Sequence, residues 1–388
     1  MKDTILIFSG GYLPGARFGG PVTSLKNFAD AFCYKYNIKV ITLDHDYKCK
    51  ERYSGINNGW NQVGSADVLY LSNSECNYSN FKRIIKTEKP SFCYLSGTIT
   101  SYFGFNEYVI EICNEIRVPV ILVLRGDLCD DALNIKKVKK MVAIVLCRLK
   151  KAFEKVYFQS TFAEETTNLI KYFNINESRI FEAPNIPANI QITRIREKRK
   201  GEIKLIFISR IAFIKNLLDA IKSVNGTKSK VVFDIYGPLE DIKYWLECKE
   251  TIRLAPQNVN INYKGALDLN VAKNIFQEYD AFLFETRSEN YGHVIAESLL
   301  CGCPVILSKK TTPWDDLDKR AGFTAELGDI NEFARLIDLI ANMEGKVYSD
   351  LRKSTRSYAL EKTKFNNIIE QYQKMFNIVT NSFNNVHK

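Results

Sequence analysis

The sequence predicts an α/β protein built from two doubly wound domains, and three observations carry the prediction. Short β-rich runs alternate with stretches of helical apolar spacing, the pattern of βαβ units around a parallel sheet. The alternation breaks once, near residues 188–200, and then restarts. The length of 388 residues fits two or three domains at a prior of roughly 150 residues each.

Residues 4–10 (TILIFSG) read as a first strand ending in a tight glycine turn. From Pro21 to Cys33 the apolar residues at 22, 25, 28, 29, 32 and 33 make a helical stripe, with the proline in the first turn, where it fits. Further strands are expected at 38–43, 67–72, 91–96, 118–124 and 155–160, with helices near 79–87, 102–116, 136–154 and 161–173. The polar, basic stretch 188–200 reads as a linker. Strands then return at 203–209, 230–237, 259–265, 280–286 and 304–308, with helices at 215–224, 239–253, 269–277 and 293–301. From about 330 onward the chain reads as helices only. The expected division is 1–187 plus a returning C-terminal helix at 364–388, the linker 188–200, and a second domain at 201–363. Two such domains facing a central cleft would place ligands at the carboxyl ends of their strands.

Bulk composition excludes several classes. Charged residues make up 25% and hydrophobic residues 46% of the chain, as in a globular protein and not in a disordered or collagen-like one. No window reaches the roughly 18 consecutive apolar residues of a membrane span. The N-terminus lacks the basic-then-apolar order of a signal peptide, so a cytoplasmic location is expected. The ten cysteines form no CxxC pair and are expected as reduced thiols. Only three histidines are present, His45, His293 and His387, which leaves Cys301 and Cys303 without metal-ligand partners. The net charge of +10 is uneven: residues 1–200 carry +9, 201–350 carry −4 and 351–388 carry +5.

Three segments point to chemistry. In the first, Ser288 to Ile306, a strand is followed by a loop and a helix start near 291–293, where free N–H groups and the helix dipole favour an anion. Glu289 precedes this helix and Glu297 lies two turns into it; carboxylates there suit the hydroxyls of a sugar or ribose. In the second, Arg210 and Lys215 stand just after strand 203–208, offering a bidentate fork and a compact charge to phosphate. In the third, the glycine-rich run Gly10 to Pro21 lets backbone approach a phosphate closely. It matches neither GxGxxG nor a GKS/GKT loop.

Taken together, Arg210 with Lys215 five positions on, the Glu289/Glu297 pair, and the CGCPVI that follows resemble the retaining glycosyltransferases of family 4, which have the two-domain GT-B fold. Gly19-Gly20, STFAEET (160–166), APNI (183–186), YKG (263–265) and TTPWDDL (311–317) agree in order. The resemblance implies two Rossmann-like domains, acceptor-side and donor-side, with the C-terminal helix crossing back. It implies that Arg210 and Lys215 hold the donor diphosphate and that Glu297 binds the ribose. Glu289, Asn290, Tyr291, Gly292 and His293 would hold the donor sugar. Gly19 and Gly20 would approach the phosphate, and Gly265 would flank the base. It implies a nucleotide-sugar donor (UDP or GDP), a glycan or polyprenyl-diphosphate-linked acceptor, and no metal or other cofactor.

Many members of that family have His-Asp after the strand at 118–124. Here Arg125-Gly126-Asp127 stands instead, resembling a branch with Arg-Gly, so Arg125 and Asp127 become acceptor-side candidates together with Trp314. Ile186 stands where a glycine is common. Asp44-His45-Asp46 looks like a metal-binding DxD but follows the second strand and reads as loop, and Trp60 and Trp245 read as core. Segment 136–155 carries eight cations around an apolar centre, as expected of a helix on an anionic membrane surface. No nucleic-acid-binding motif is present. A nucleotide-sugar epimerase of the same fold and a non-enzymatic two-domain ligand- or nucleic-acid-binding protein stay open as alternatives.

Overall fold

The computed structural model describes residues 2–15, 17–98, 105–129, 133, 137–192, 197–267, 274–289, 291–317 and 320–385. The chain divides into two compact units, residues 1–186 with 365–388, and residues 187–364.

The first unit opens with β1 (Asp3–Ser9), α1 (Gly20–Phe32), β2 (Tyr36–Leu43), β3 (Trp60–Val63) and β4 (Ala66–Leu71). It continues with α2 (Tyr78–Glu88), β5 (Phe92–Ser96), α3 (Phe105–Ile116), β6 (Val120–Val123), α4 (Lys137–Leu149), β7 (Tyr157–Ser160), α5 (Ala163–Phe173) and β8 (Ile180–Glu182). Its eight strands lie in the order β3-β4-β2-β1-β5-β6-β7-β8. All pairs are parallel except β3 with β4. In central β1 the residues Ile5, Leu6, Ile7 and Phe8 are all fully buried, because helices cover both faces of a parallel sheet. That is why the strand reads as a continuous apolar run and not as an alternation. The hairpin strand β3 and the edge strand β8 escape the sequence pattern: WNQV is half polar, and IFE is three residues long.

The second unit holds β9 (Glu202–Ile208), α6 (Leu217–Asn225), β10 (Lys230–Tyr236), α7 (Ile242–Arg253), β11 (Val259–Tyr263), β12 (Ala281–Phe284), α8 (His293–Leu300), β13 (Val305–Ser308), β14 (Gly322–Ala325), α9 (Ile330–Ala341) and α10 (Gly345–Thr363). Its strand order is β11-β10-β9-β12-β13-β14, and every pair is parallel. This is the order of a dinucleotide-binding sheet, with its topological switch between β9 and β12. Asp241 and Asp329 begin α7 and α9 by accepting the backbone N–H of Tyr244 at 3.0 Å and Glu332 at 3.1 Å, the usual N-cap arrangement. One expectation needs correction. Ala188 and Ile190, placed in a polar linker, are buried in the core of this unit, because alternate residues of that stretch are apolar. The helix expected at 269–277 lies largely outside the described residues; its described end is helical at 274–275 and runs into a 3-10 turn at Phe276–Glu278.

The last helix, α11 (Phe365–Asn385), belongs to the first unit. Phe376 meets Phe92 at 4.9 Å, Phe32 at 5.2 Å and Phe28 at 5.9 Å between ring centroids. The Tyr372 hydroxyl accepts a hydrogen bond from Gln159 Nε2 at 2.6 Å and donates to the Pro184 carbonyl at 3.2 Å. Among the described residues, no helix is long and apolar enough to cross a membrane.

Candidate functional site

The switch point of the second unit gathers the strongest chemistry. β9 ends at Ile208 and β12 at Phe284, so the segments 209–216 and 285–292 leave the sheet side by side, at the edge where doubly wound sheets hold ligands. Lys215 closes a 3-10 turn, Phe213–Lys215, and Asn216 follows at φ 55°. Asn216 ties the two segments together. Its Nδ2 donates to the Glu285 carbonyl at 2.9 Å, and its Oδ1 accepts from Arg287 Nη2 at 2.9 Å. Arg287 N–H also donates to the Ile214 carbonyl at 3.0 Å.

This clasp brings Lys215 onto Glu289, with Nζ to Oε2 at 2.6 Å. Lys215 is 8% exposed, so the pair is partly screened from water and its charges act more strongly than on an open surface. The Glu289 backbone N–H donates to the Thr311 carbonyl at 2.8 Å, which fixes the loop to the segment after β13. Arg210 lies at the mouth of the same segment, and its guanidinium pairs with Glu240, just before α7. Glu240 carries no sequence signal of its own; only the parallel bridge of Ile211 with Leu239 brings it there.

The helix α8 begins at the same edge. Gly292 is its N-cap at φ 73°, a left-handed conformation that favours glycine. A Cβ there would also lie 2.9 Å from Ile295 Cδ1 and 3.2 Å from Glu289 Cγ. His293 and Glu297 are both buried, at 9% and 8% exposure, and the Tyr291 and His293 rings lie 4.6 Å apart. Asn290 is outside the described residues. Trp314, expected at an acceptor contact, is 2% exposed within the core of this unit. Its Nε1 donates to the Tyr291 carbonyl at 2.5 Å, so it holds the 291 loop in place and does not present its ring. Gly265 sits at φ 78° and its carbonyl accepts the Gly237 N–H at 2.8 Å. Gly237 itself tolerates no side chain, since a Cβ would fall 1.7 Å from the Ser209 carbonyl oxygen.

Sequence reasoning missed one group beside this site. Glu285 follows the last residue of β12, is fully buried, and neither carboxylate oxygen has a hydrogen-bond partner. Burial lifts its pKa from the ordinary 4.5 to about 8. The nearby Ser223 hydroxyl and Lys222 soften the rise, and Asp219 adds to it. The sequence hides it because one acidic residue after an apolar strand looks like any strand end.

In the first unit, the sheet order reverses between β1 and β5, and the glycine-rich run leaves β1 there. Gly19 is the N-cap of α1 at φ 68° and Gly20 is the first helical residue. Arg125, at φ 52° after β6, donates to Ser96 Oγ at 3.2 Å and to the Asn185 side chain. Asp127 takes the Lys140 ammonium of α4 at 2.6 Å, with both side chains 11% exposed. This pair ties the loop after β6 to α4. Glu165, from STFAEET, accepts the Gly126 N–H at 2.7 Å and the Thr161 N–H at 2.8 Å. The Asp44-His45-Asp46 stretch organises its own loop: His45 Nδ1 lies 2.8 Å from Asp44, and Asp46 accepts the Arg17 and Tyr47 N–H groups. Among the described residues, no three His, Cys, Asp or Glu side chains gather as a metal site.

Comparison with known proteins extends this picture. Residues 189–361 match the family model described as Glycosyl transferases group 1. An uncharacterized 41.2 kDa protein in the cps region of Klebsiella pneumoniae is 22% identical over 311 residues, covering 77% of this chain and 82% of that protein. HepE of Anabaena, solved in complex with UDP and glucose, is similar in structure at TM-score 0.69 and 15% identity, over 97% of this chain and 99% of that one. Sucrose-phosphate synthase of Thermosynechococcus elongatus is similar at TM-score 0.69 and 11% identity, over 98% and 100%. The chain therefore has the two-domain GT-B fold, and the stretch that matches the glycosyl transferases group 1 model lies within its second unit.

Proposed function

We propose that the protein is a retaining glycosyltransferase of family 4. It moves a hexose-type sugar from a UDP- or GDP-sugar to a glycan or polyprenyl-diphosphate-linked acceptor in bacterial surface polysaccharide synthesis, such as an O-antigen or capsule. The Lys215–Glu289 pair at the β9/β12 switch point carries the reading, because it sets a cation and a hydroxyl-binding carboxylate side by side. HepE, with its UDP and glucose, supports a UDP-sugar donor, and the relative in a cps region supports a polysaccharide product.

In this reading the second unit binds the donor and the first binds the acceptor. Lys215 and Arg210 neutralise the diphosphate as it departs, and the N-terminal end of α8 adds its positive dipole. Glu297 holds the ribose hydroxyls. Glu289, with Asn290, Tyr291, Gly292 and His293, orients the sugar. Gly19 and Gly20 bring backbone to the phosphates, and Gly265 flanks the base. The bond from the anomeric carbon to the diphosphate oxygen breaks, and the acceptor oxygen bonds to that carbon on the same face. The acceptor proton passes to the leaving diphosphate. The positive side chains carry the electrostatic work, so the reading assigns no metal and no other cofactor. Arg125 remains an acceptor-side residue, and the protein works at the inner face of the cytoplasmic membrane.

The test is nucleoside diphosphate release from a UDP- or GDP-sugar with and without acceptor, followed by proton NMR of the product. Release that requires acceptor and a product that keeps the donor's anomeric configuration are expected. An inverted product would contradict retention. A sugar nucleotide epimerised without acceptor would replace the transferase with an epimerase.

A further inference from the structure

Helix α4 presents an apolar stripe to solvent. Val138 is 78% exposed, Val142 53%, Val145 51% and Leu149 76%. At about 100° per residue, these four fall within an arc of about 60°. The opposite face, Lys140, Ala143, Ile144 and Cys147, is buried. Exposed valines gain nothing for the helix itself, since branching at Cβ lowers helix propensity. The stripe is flanked by exposed cations, Lys137 and Arg148 on one side and Lys139 on the other, and Lys150, Lys151 and Lys155 lie exposed just beyond the helix. No Asp or Glu occurs between residues 137 and 149. The helix is held by Lys140 on Asp127 at 2.6 Å and by Lys150 on Glu107 at 2.6 Å.

We infer that this face of α4 docks on an anionic lipid bilayer, with Val138, Val142, Val145 and Leu149 entering the headgroup–acyl boundary and the flanking cations meeting lipid phosphates. An apolar centre with cations on both sides is the arrangement an interfacial helix needs. A second copy of the chain fits the face poorly, because a two-fold contact would set Lys137, Lys139 and Arg148 against the same cations. Nucleic acid offers its phosphates to the flanks and nothing to the stripe. The inference deepens the transferase reading, on which its purpose rests: a lipid-linked acceptor lies in such a surface.

The test is sedimentation of the full chain with phosphatidylcholine vesicles, with and without phosphatidylglycerol, at low and high salt. The wild type is expected to pellet with phosphatidylglycerol vesicles at low salt and to stay in solution with phosphatidylcholine alone. V142D/L149D, with unchanged Tm, is expected to lose at least roughly tenfold in lipid partition. K137Q/K139Q/R148Q is expected to lose the preference for phosphatidylglycerol. Wild-type protein left in the supernatant at low salt would overturn the inference. So would a folded V142D/L149D that pellets like wild type, or a wild-type dimer that these substitutions disperse. Nucleotide-induced change in Tm, measured on the same samples, reads the transferase site separately. Its survival when docking fails would confine the failure to α4.

Discussion

Alanine in place of Lys215 is expected to lower kcat by roughly 10²–10³-fold, the loss seen when one preorganised donor to a developing negative charge is removed. The ammonium is nearly buried and pairs with Glu289 at 2.6 Å, so no neighbouring water replaces its charge cheaply. Alanine also strands the Glu289 carboxylate, which on the proposed reading lies beside the donor phosphates and repels them. Arginine at this position is expected to recover little, because its planar fork does not fit the place of a compact ammonium. The check is steady-state turnover of nucleotide sugar, with Tm measured to confirm that K215A is folded. A folded K215A with near wild-type kcat would remove Lys215 from the leaving-group account.

E285Q is expected to change the pH dependence of stability more than any other single substitution near the site. The folded pKa of Glu285 is raised to about 8 from 4.5. The stability associated with its protonated form is therefore fully present below about pH 4.5 and is lost as pH rises through about 8. A shift of that size corresponds to on the order of 5 kcal/mol. For a domain of this size that is roughly 10 °C or more in Tm. Glutamine keeps the shape and cannot ionise. The two proteins should melt alike near pH 4.5, and E285Q should melt progressively higher as pH approaches 8. Parallel Tm curves across that range would show that Glu285 titrates in the folded protein as it does in the unfolded chain.

The α/β class and most elements were legible because parallel strands and amphipathic helices differ so clearly in apolar period. IKLIFIS and the stripe of α1 are unambiguous on that basis. The strands β3, β8 and β14 were not, because a four-residue polar edge such as WNQV has no period to read. Positions along the chain placed Arg210, Lys215 and Glu289 after strands, but only the sheet order brings 209–216 beside 285–292. Lys215 on Glu289 follows from that order; Arg210 on Glu240 follows from one further bridge, which no residue spacing announces. Trp314 shows the reverse case. Its place after β13 suggested contact with a ligand, and the structure turns its indole inward onto the Tyr291 carbonyl. Asp127 gains a partner that no residue spacing announces, the Lys140 ammonium of α4. The uneven charge gains a location too. Part of the excess in residues 1–200 surrounds the exposed stripe of α4, while the second unit places Arg210 and Lys215 at its switch point, with Arg287 beside them in the clasp on Asn216.

The most direct test of the proposed donor site at β9 and β12 is the Tm of the wild type and of R210A/K215A in millimolar UDP, GDP and their sugars. A ligand that binds the folded state raises Tm, by an amount that grows with the logarithm of its concentration over its Kd. One nucleotide family is expected to raise the wild-type Tm by several degrees, about the effect of 1–2 kcal/mol of binding, and to leave R210A/K215A unmoved. No shift of the wild type with any of these nucleotides, or an equal shift in the double variant, would contradict a donor site built on Arg210 and Lys215.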